Sequence, residues 1–373
     1  MSLKPQPILP VPKQTADVAR AALGSPSGRE NPNDQGGHAM NQRSSIGAIP
    51  WEQTAIVQVL LGIATLCLGI AWIPVLAAAQ AAFCTDTANT LLTACRAETE
   101  DDFWVAMAQC LNVSDGEART QCETEADAQR AEAQEECDEQ LSARLEVCGL
   151  VGEEPYDPDF TPANFVNPDE IGGTIAPNPY FPLIPGTRWV YQGGEETITV
   201  IVTDKTKLIE GVTCRVVNDV VEQDGAVIED TDDWYAQDLT GNVWYCGEIA
   251  KNFETFEGDI PEDTELVDIE GSFKAGRDGA KAGMIMLADP QVGNAYRQEA
   301  ALGNAEDVAE VISITGNESV PAASCNNTCL VTRDFTPLEP GVNENKHYAR
   351  GIGAILEVDA EGNRTELVEF TTP

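Results

Sequence analysis

Six cysteines with a symmetric spacing constrain the fold of this 373-residue chain more than any other feature. The intervals between them are 11, 15, 12, 15 and 11 residues, a series that reads the same in both directions. Because an α-helix turns by about 100° per residue, these intervals keep the three cysteines of each half near one helix face. Two antiparallel helices bring residues at equal distances from their turn face to face. The spacing therefore predicts three nested bridges, which are Cys84–Cys148, Cys95–Cys137 and Cys110–Cys122.

The residues around these cysteines agree with a helical hairpin over residues 83–149. Neither arm has Gly or Pro between its cysteines, Gly116 falls in the turn, and Gly149 is expected to end the second helix. Such a hairpin has little interior, so the bridges replace a core. Metal binding, the alternative role for the cysteines, normally uses C-x-x-C pairs, which this sequence lacks. The 16 acidic and 4 basic residues of the hairpin indicate a solvated surface or a surface that faces a partner.

An uncharged stretch of 29 residues, 54–82, indicates export. Its apolar part is long enough to cross a bilayer, and the basic residues before it favour a cytoplasmic or leader segment, expected to be disordered, over residues 1–53. Ala79 and Ala81 precede a typical signal-peptide cleavage position at Ala82, and a retained membrane anchor is the alternative. Met1 and Met40 are alternative starts. With ten cysteines after this stretch, we expect a disulfide-bonded protein that is periplasmic, secreted or on the cell surface.

The second half of the chain has the pattern of a β domain. Residues 150–185 are rich in proline and acidic residues, which predicts an extended linker. From residue 186 to residue 373, short segments such as ETITVIVTD and NVWYCGE alternate with turn sequences. This predicts an antiparallel β sandwich or half-open barrel, and an α+β class for the whole chain. The Ala and Glu content of residues 296–311 favours a helix, whereas the VISI that overlaps their end favours a strand.

The segment DWYAQDLTGNVWYCGE, residues 233–248, predicts a β-hairpin. Its turn, Asp238-Leu-Thr-Gly-Asn, fits a type I turn with a glycine bulge and recurs as Asp359-Ala-Glu-Gly-Asn. One face, expected in the core, carries Trp234, Ala236, Trp244 and Cys246, with Trp234 opposite Cys246. The other face, with Asp233, Tyr235, Gln237 and Tyr245, is the candidate binding patch. Cys214 is expected to pair with Cys246, and Cys325 with Cys329; exchanged partners are the alternative.

Several sequence elements also carry a resemblance to a known family. They are YFPLIPGTRWVY, TDDWYAQDLTGNVWYCGE, GSFKAGRDGAKAGMIM, YRQEAALGNAEDVAEV and KHYARGIGAILEVD, in that order. Through them, residues 180–373 resemble a family of uncharacterised exported bacterial proteins. The resemblance implies a secreted β domain and brings no catalytic or binding residues with it. The G-x-G-A-x-L near the end is also similar to lipoprotein-type β domains that form half-barrels around apolar cargo.

Composition excludes several classes of function. A formal net charge of -40 disfavours nucleic acid as a partner, because such binding depends on Lys and Arg. His347 is the only histidine after the apolar stretch, so serine- or cysteine-histidine catalysis would have to use it, and the surrounding NKHYARG has no nucleophile motif. Histidine-based metal sites lack enough ligands. No cofactor is expected; Ca²⁺ would suit the acidic composition but has no specific motif.

Carboxylates are the remaining candidates for chemistry. Paired carboxylates beside aromatic rings would suit a hydrolase such as a glycosidase. The candidates are Asp232, Asp233, Asp238, Glu248, Glu299, Glu306 and Asp307. Our leading hypothesis is nevertheless a non-enzymatic, exported binding or structural module with an unknown protein or cell-surface partner, and with membrane contact through residues 54–82 if they are uncleaved. A β half-barrel carrier of an apolar ligand and the carboxylate-based hydrolase are the alternatives.

Overall fold

The computed structural model describes residues 82–256 and 258–373. The predictions for residues 1–53 and for the apolar stretch up to residue 81 fall outside these ranges. Neither α-helix in the described ranges is long and apolar enough to span a membrane. The helices are α1 (Phe83–Leu111) and α2 (Gly116–Val151). The strands are β1 (Arg188–Gly193), β2 (Glu196–Ile209), β3 (Val212–Gln223), β4 (Ala226–Gln237), β5 (Val243–Glu254), β6 (Glu265–Asp268), β7 (Gly283–Met286), β8 (Ala295–Arg297), β9 (Val308–Val320), β10 (Ala323–Phe335), β11 (Asn343–Ala349), β12 (Gly353–Asp359) and β13 (Arg364–Thr371).

The two helices form an antiparallel hairpin with three nested disulfides, as the cysteine spacing predicts. The bridges join Cys84 to Cys148, Cys95 to Cys137 and Cys110 to Cys122, with Cα–Cα distances of 5.6, 5.8 and 5.5 Å. Asp115 caps α2 by accepting a 2.8 Å hydrogen bond from the amide of Ala118. The hairpin has few buried side chains: four of its six cysteines, together with Ala88, Thr99, Phe103, Ala126, Arg144 and Val147.

The second helix is longer than predicted. Gly149 does not end it; α2 continues to Val151, and Gly152, with φ of 90°, follows its last residue. The extra turn places Leu150 and Val151 against an apolar cluster that contains Val308. Tertiary packing at this point therefore outweighs the helix-ending tendency of a glycine.

The segment predicted as a linker lies against the sheet. Between α2 and β1 it has two short 3₁₀ turns, Pro162–Asn164 and Pro168–Glu170, and otherwise extended or irregular backbone. Ile171, Asn178 and Leu183 are buried. This segment thus covers part of the sheet.

All thirteen strands belong to one large, open antiparallel sheet. The order is β6-β5-β4-β3-β2-β1-β13-β12-β11-β10-β9-β8, and β7 also pairs with β5. Most neighbours are joined by hairpins, whereas the pairing of β1 with β13 joins the two ends of the β region. The general prediction of an antiparallel β domain is confirmed; the two separate sheets of a sandwich are not present in the described ranges. Residues 295–297 and 308–320 are strands, so the helix favoured for residues 296–311 is wrong.

Two further disulfides lie in the sheet. Cys214 bonds Cys246, and Cys325 bonds Cys329, as predicted. Five disulfides in one chain are typical of an oxidising, extracytoplasmic environment.

Candidate functional site

The turn of the Asp233–Glu248 hairpin forms as predicted. The amide of Gly241 donates to the carbonyl of Asp238 at 3.0 Å, and Gly241 has a φ of 90°. The carboxylate of Asp238 accepts from the amide and the side chain of Asn242. The turn at Asp359 has the same arrangement with Asn363. The carboxylate of Asp238 therefore serves to cap the turn.

The register of this hairpin shifts between Tyr235 and Trp234, away from the turn. Tyr235 lies opposite Tyr245 as predicted, but Trp234 lies opposite Gly247 and not opposite Cys246. Cys246 is thus an extra residue in β5, which is a β-bulge. The predicted Trp234–Cys246 pairing is wrong because period-two alternation alone does not reveal an inserted residue.

Glycine is required at this bulge, and the bulge determines which way Glu248 points. Gly247 has a φ of 129°, and a Cβ at this position would lie 2.3 Å from the carbonyl oxygen of Phe273. The extra residue reverses the alternation of β5. Glu248 consequently faces the same side of the sheet as Tyr245.

The two faces of the hairpin divide as predicted, but both are buried. Trp234, Ala236 and Cys246 belong to a small core on one face. Tyr235 and Tyr245 belong to the main core on the other face. The face that carries the candidate binding patch is therefore interior, where a partner protein cannot reach it.

The structure places the four residues of the candidate patch in two different settings. Tyr235 and Tyr245 are stacked, with ring centroids 4.6 Å apart, and Asp233 lies beside them. Gln237 instead hydrogen-bonds the covering segment: its amide donates to the carbonyl of Ala176, and its oxygen accepts from the amide of Asn178, both at 2.9 Å. Gln237 fixes that segment to β4.

Asp233, Tyr245 and Glu248 form what we call the carboxyl–phenol cluster. The hydroxyl of Tyr245 contacts Asp233 Oδ1 and lies 2.9 Å from Glu248 Oε2. All three side chains are buried. A phenol has one hydrogen to donate, so it satisfies only one of the two carboxyl groups as a donor. The other contact is a hydrogen bond only if that carboxyl group is protonated and donates to the phenol oxygen.

Electrostatics support a retained proton in this cluster. Burial raises the pKa of Asp233 well above its ordinary value, while the hydrogen bond from Tyr245 opposes the rise. Burial, followed by the charge of Asp233, raises the pKa of Glu248. Two carboxyl groups this close in a low-dielectric interior do not both ionise readily. The pair therefore titrates as a unit that holds at least one proton near neutral pH.

Further carboxyl groups continue from this cluster across the inner face of the sheet. Burial, and then the charges of Asp307 and Glu248, raise the pKa of Glu299. Burial raises the pKa of Asp307 to about 7, although Lys346 opposes the rise. The approach of Glu299 depends on Gly283, since a Cβ there would lie 1.8 Å from the carbonyl oxygen of Gln298.

A second buried group, the lysine cluster, consists of Lys346 and the three carboxyl groups around it. Lys346 Nζ lies 2.9 Å from Glu344 Oε1, 3.6 Å from Asp334 Oδ2 and 3.9 Å from Glu357 Oε2. All four side chains are buried. None of these four residues was singled out from the sequence. One sequence signal could have indicated this cluster: Glu344, Lys346 and Tyr348 occupy every second position of β11 and therefore share one face of the strand.

The remaining carboxylates of the hydrolase hypothesis are dispersed. Glu306 forms a buried ion pair with Arg144 of α2 at 2.9 Å. Asp232 accepts a 3.3 Å hydrogen bond from Asn218. Asp233 and Glu248 adjoin each other inside the core, where no substrate has access. The geometry does not favour glycoside hydrolysis.

One apolar cavity lies inside the sheet, between the covering segment and strands β1 to β3. Its volume is about 40 Å³, and Leu183, Trp189, Tyr191 and Val217 are among its lining residues. Pockets for small molecules usually measure roughly 300 Å³ or more. A cavity of this size does not favour the carrier hypothesis.

The base of the helical hairpin is attached to the sheet. Arg144 donates to both carboxylate oxygens of Glu306, at 3.0 and 2.9 Å, and both side chains are buried. Val147 packs with Val308 and Phe335 beside this ion pair. The Cys84–Cys148 end of the hairpin is therefore docked on the β region.

The opposite end of the hairpin carries exposed apolar side chains. Trp104 is 64% exposed and Leu111 is 66% exposed. With Ala108 they follow the i, i+4, i+7 spacing of a single helix face. We call Trp104, Ala108 and Leu111 the tip patch. Its outermost residue, Leu111, lies roughly 28 Å along the helix axis from Gln140, which hydrogen-bonds the carbonyl of Leu338.

Within residues 82–256 and 258–373, no group of three or more His, Cys, Asp or Glu side chains is arranged to hold a metal ion. Comparison of the chain with protein-family models, with curated proteins and with solved structures finds no match. The resemblance of residues 180–373 to exported bacterial proteins stays a prediction.

Proposed function

We propose that this protein is an exported binding module whose disulfide-linked hairpin presents the tip patch to a partner protein. The observation that carries the proposal is an exposed Trp104 and Leu111 at the far end of a bridged hairpin whose base is docked on the sheet. Exposed apolar clusters on a soluble surface mark interaction sites, and tryptophan is enriched among the residues that dominate binding energy.

The disulfide ladder supports this role because it limits bending of the hairpin. A preorganised arm loses less conformational entropy on binding than a flexible one. The apolar stretch at residues 54–82 and the five disulfides support export of the β region and hairpin.

Charge indicates the chemistry of the partner. The hairpin has 16 acidic and 4 basic residues, so a complementary surface has an apolar pocket bordered by Lys and Arg. Such complementarity increases the association rate and weakens with rising salt concentration.

Site-specific photocrosslinking in the cells that produce the protein tests this proposal. A photoreactive phenylalanine derivative replaces Ala108 in the full chain, and one dominant adduct is expected, with a yield that falls as salt is raised. The mass of the mature N-terminus from the same preparation shows whether cleavage occurs before Ala82.

Two leucine variants give a matched control. Leu111→Ser should reduce the adduct at least tenfold, whereas Leu239→Ser, at a β-region leucine that is 68% exposed, should not change it. An adduct that is absent, or equally sensitive to both substitutions, would contradict a binding role for the tip patch.

A further inference from the structure

Lys346 has surroundings that suit a reaction as well as an ion pair. It lies on β11, directly opposite Thr332 of β10 and Glu357 of β12. Only 6% of the residue is exposed. Its ammonium group, Asp334 and Glu344 therefore share a small interior volume from which bulk water is excluded.

The two carboxylate oxygens of Asp334, beside this amine, have different surroundings. Its Oδ2 accepts a 3.0 Å hydrogen bond from Gln298 Nε2 and lies 3.6 Å from Lys346 Nζ. Its Oδ1 is buried and has no hydrogen-bond partner within the described ranges. Gln298 is itself buried. One oxygen is thus stabilised by an N–H donor, and the other is free to leave.

Glu344 is placed to accept a proton from Lys346, and it stands next to Asp334 in the neighbouring strand. Its Oε1 lies 2.9 Å from Lys346 Nζ, and Glu344 pairs directly with Asp334 across strands β11 and β10. A carboxylate within hydrogen-bond distance of an ammonium group is a competent general base. Each participant in an amide-forming condensation is therefore present in one buried site.

We propose that Lys346 and Asp334 condense spontaneously to an intramolecular isopeptide bond, with Glu344 as the proton carrier and Gln298 as the oxyanion donor. The Nζ lone pair attacks Asp334 Cγ after Glu344 accepts a proton from the ammonium group. The Nζ–Cγ bond forms and the Cγ–Oδ1 bond breaks. Two of the three ammonium protons leave with Oδ1 as water, and the third remains on the amide nitrogen. No oxidant, reductant or further reactant is required.

The interior favours the product for a physical reason. A buried ion pair keeps the desolvation cost of two charges, whereas the amide that replaces it is neutral. Exclusion of water also slows hydrolysis of the product. Asp334 is the acceptor because it receives the Gln298 donor and lies on the neighbouring strand, whereas Glu344 is two residues away on the same strand and is required as the base.

The mass of the purified full chain tests the proposal. After allowance for the disulfides, the chain should be lighter than its sequence by one water molecule. Digestion of the reduced chain with trypsin should leave Asp334 and Lys346 in one internally cross-linked peptide that ends at Arg350, lighter by one water molecule, with no cleavage after Lys346. Peptide mapping separates this product from dehydration elsewhere in the chain.

An internal control and two variants complete the test. Lys251 lies 2.8 Å from Asp230 but is partly exposed, and it should be cleaved normally. Lys346→Arg keeps the positive charge and should restore the full mass, and Glu344→Gln should slow bond formation at least tenfold. A parent chain of full mass would overturn the proposal, and so would a bond from Lys346 to Glu344 or Glu357.

Discussion

The retained proton of the carboxyl–phenol cluster makes folding stability fall as pH rises. The perturbation that tests this is Glu248→Gln, which supplies an N–H donor to Tyr245 without a titrating proton. Above pH 6.5, ordinary Asp and Glu side chains of the unfolded chain bind no proton, while the folded cluster binds at least one. Stability changes with pH in proportion to the protons bound by the unfolded state minus those bound by the folded state, so each retained proton gives a negative slope.

The magnitude follows from this single proton. One proton corresponds to about 1.4 kcal/mol per pH unit, or about 2 kcal/mol between pH 6.5 and pH 8. Glu229 and Asp307, whose pKa values burial raises to about 7, are present in both parent and variant, so the difference between the two proteins is the useful quantity. Burial lowers the pKa of His347, and this residue is unchanged in the variant, so its contribution is common to both proteins.

The assay is urea unfolding followed by tryptophan fluorescence, without reductant, at several pH values from 6.5 to 8. Glu248→Gln should gain about 2 kcal/mol of unfolding free energy over the parent across this range. Glu254→Gln, at an exposed carboxylate of the same strand, should show a pH-independent difference. A Glu248→Gln difference that is constant, or that shrinks as pH rises, would refute the proton count.

Two further predictions concern the hairpin and its attachment. Glu306→Ala leaves the Arg144 charge buried without its partner and should cost about 3–5 kcal/mol in urea unfolding, whereas combined Arg144→Met and Glu306→Leu should cost much less; equal losses would show that the ion pair itself stabilises the attachment. Replacing Cys95 and Cys137 together by Ala removes the middle bridge and should lower the thermal unfolding free energy of the helices by about 2 kcal/mol, as measured by circular dichroism; an unchanged melting temperature would show that the outer and inner bridges suffice.

The helical hairpin was predictable because its signal is local and periodic. The cysteine spacing determines both the helix face and the pairing, so all three bridges follow from one series of intervals. The end of α2 was not predictable in the same way. Leu150 and Val151 pack against a cluster that contains Val308, which is more than 150 residues away along the chain.

The Asp233–Glu248 hairpin was predictable in its turn and in the division of its faces. The turn residues specify a short loop, and alternation assigns Trp234 and Tyr235 to opposite sides. Alternation does not tell which face is buried, and here both are. The inserted residue at Cys246 and Gly247 was missed because its cause, the close approach of the Phe273 carbonyl, comes from another segment.

The buried acidic groups were the least predictable feature. Among 62 acidic residues, nothing in the local sequence separates Glu299 or Asp334 from exposed neighbours. Their burial depends on contacts between distant segments: the backbone of Gln298 packs against Gly283 of β7, and the side chain of Gln298 hydrogen-bonds Asp334 of β10. Only the placement of Glu344, Lys346 and Tyr348 at every second position of one strand predicts a strand face that carries charged side chains.

The bulge at Gly247 has a wider meaning for this sheet. The side chains of β5 alternate between the two faces both before and after the bulge, but after it odd- and even-numbered residues exchange faces. The inserted residue decides whether Glu248 or Ile249 faces the main core, and hence whether the side chain at this point of that core can ionise. The chemical character of the core is thus encoded by the number of residues in a strand as much as by their identity.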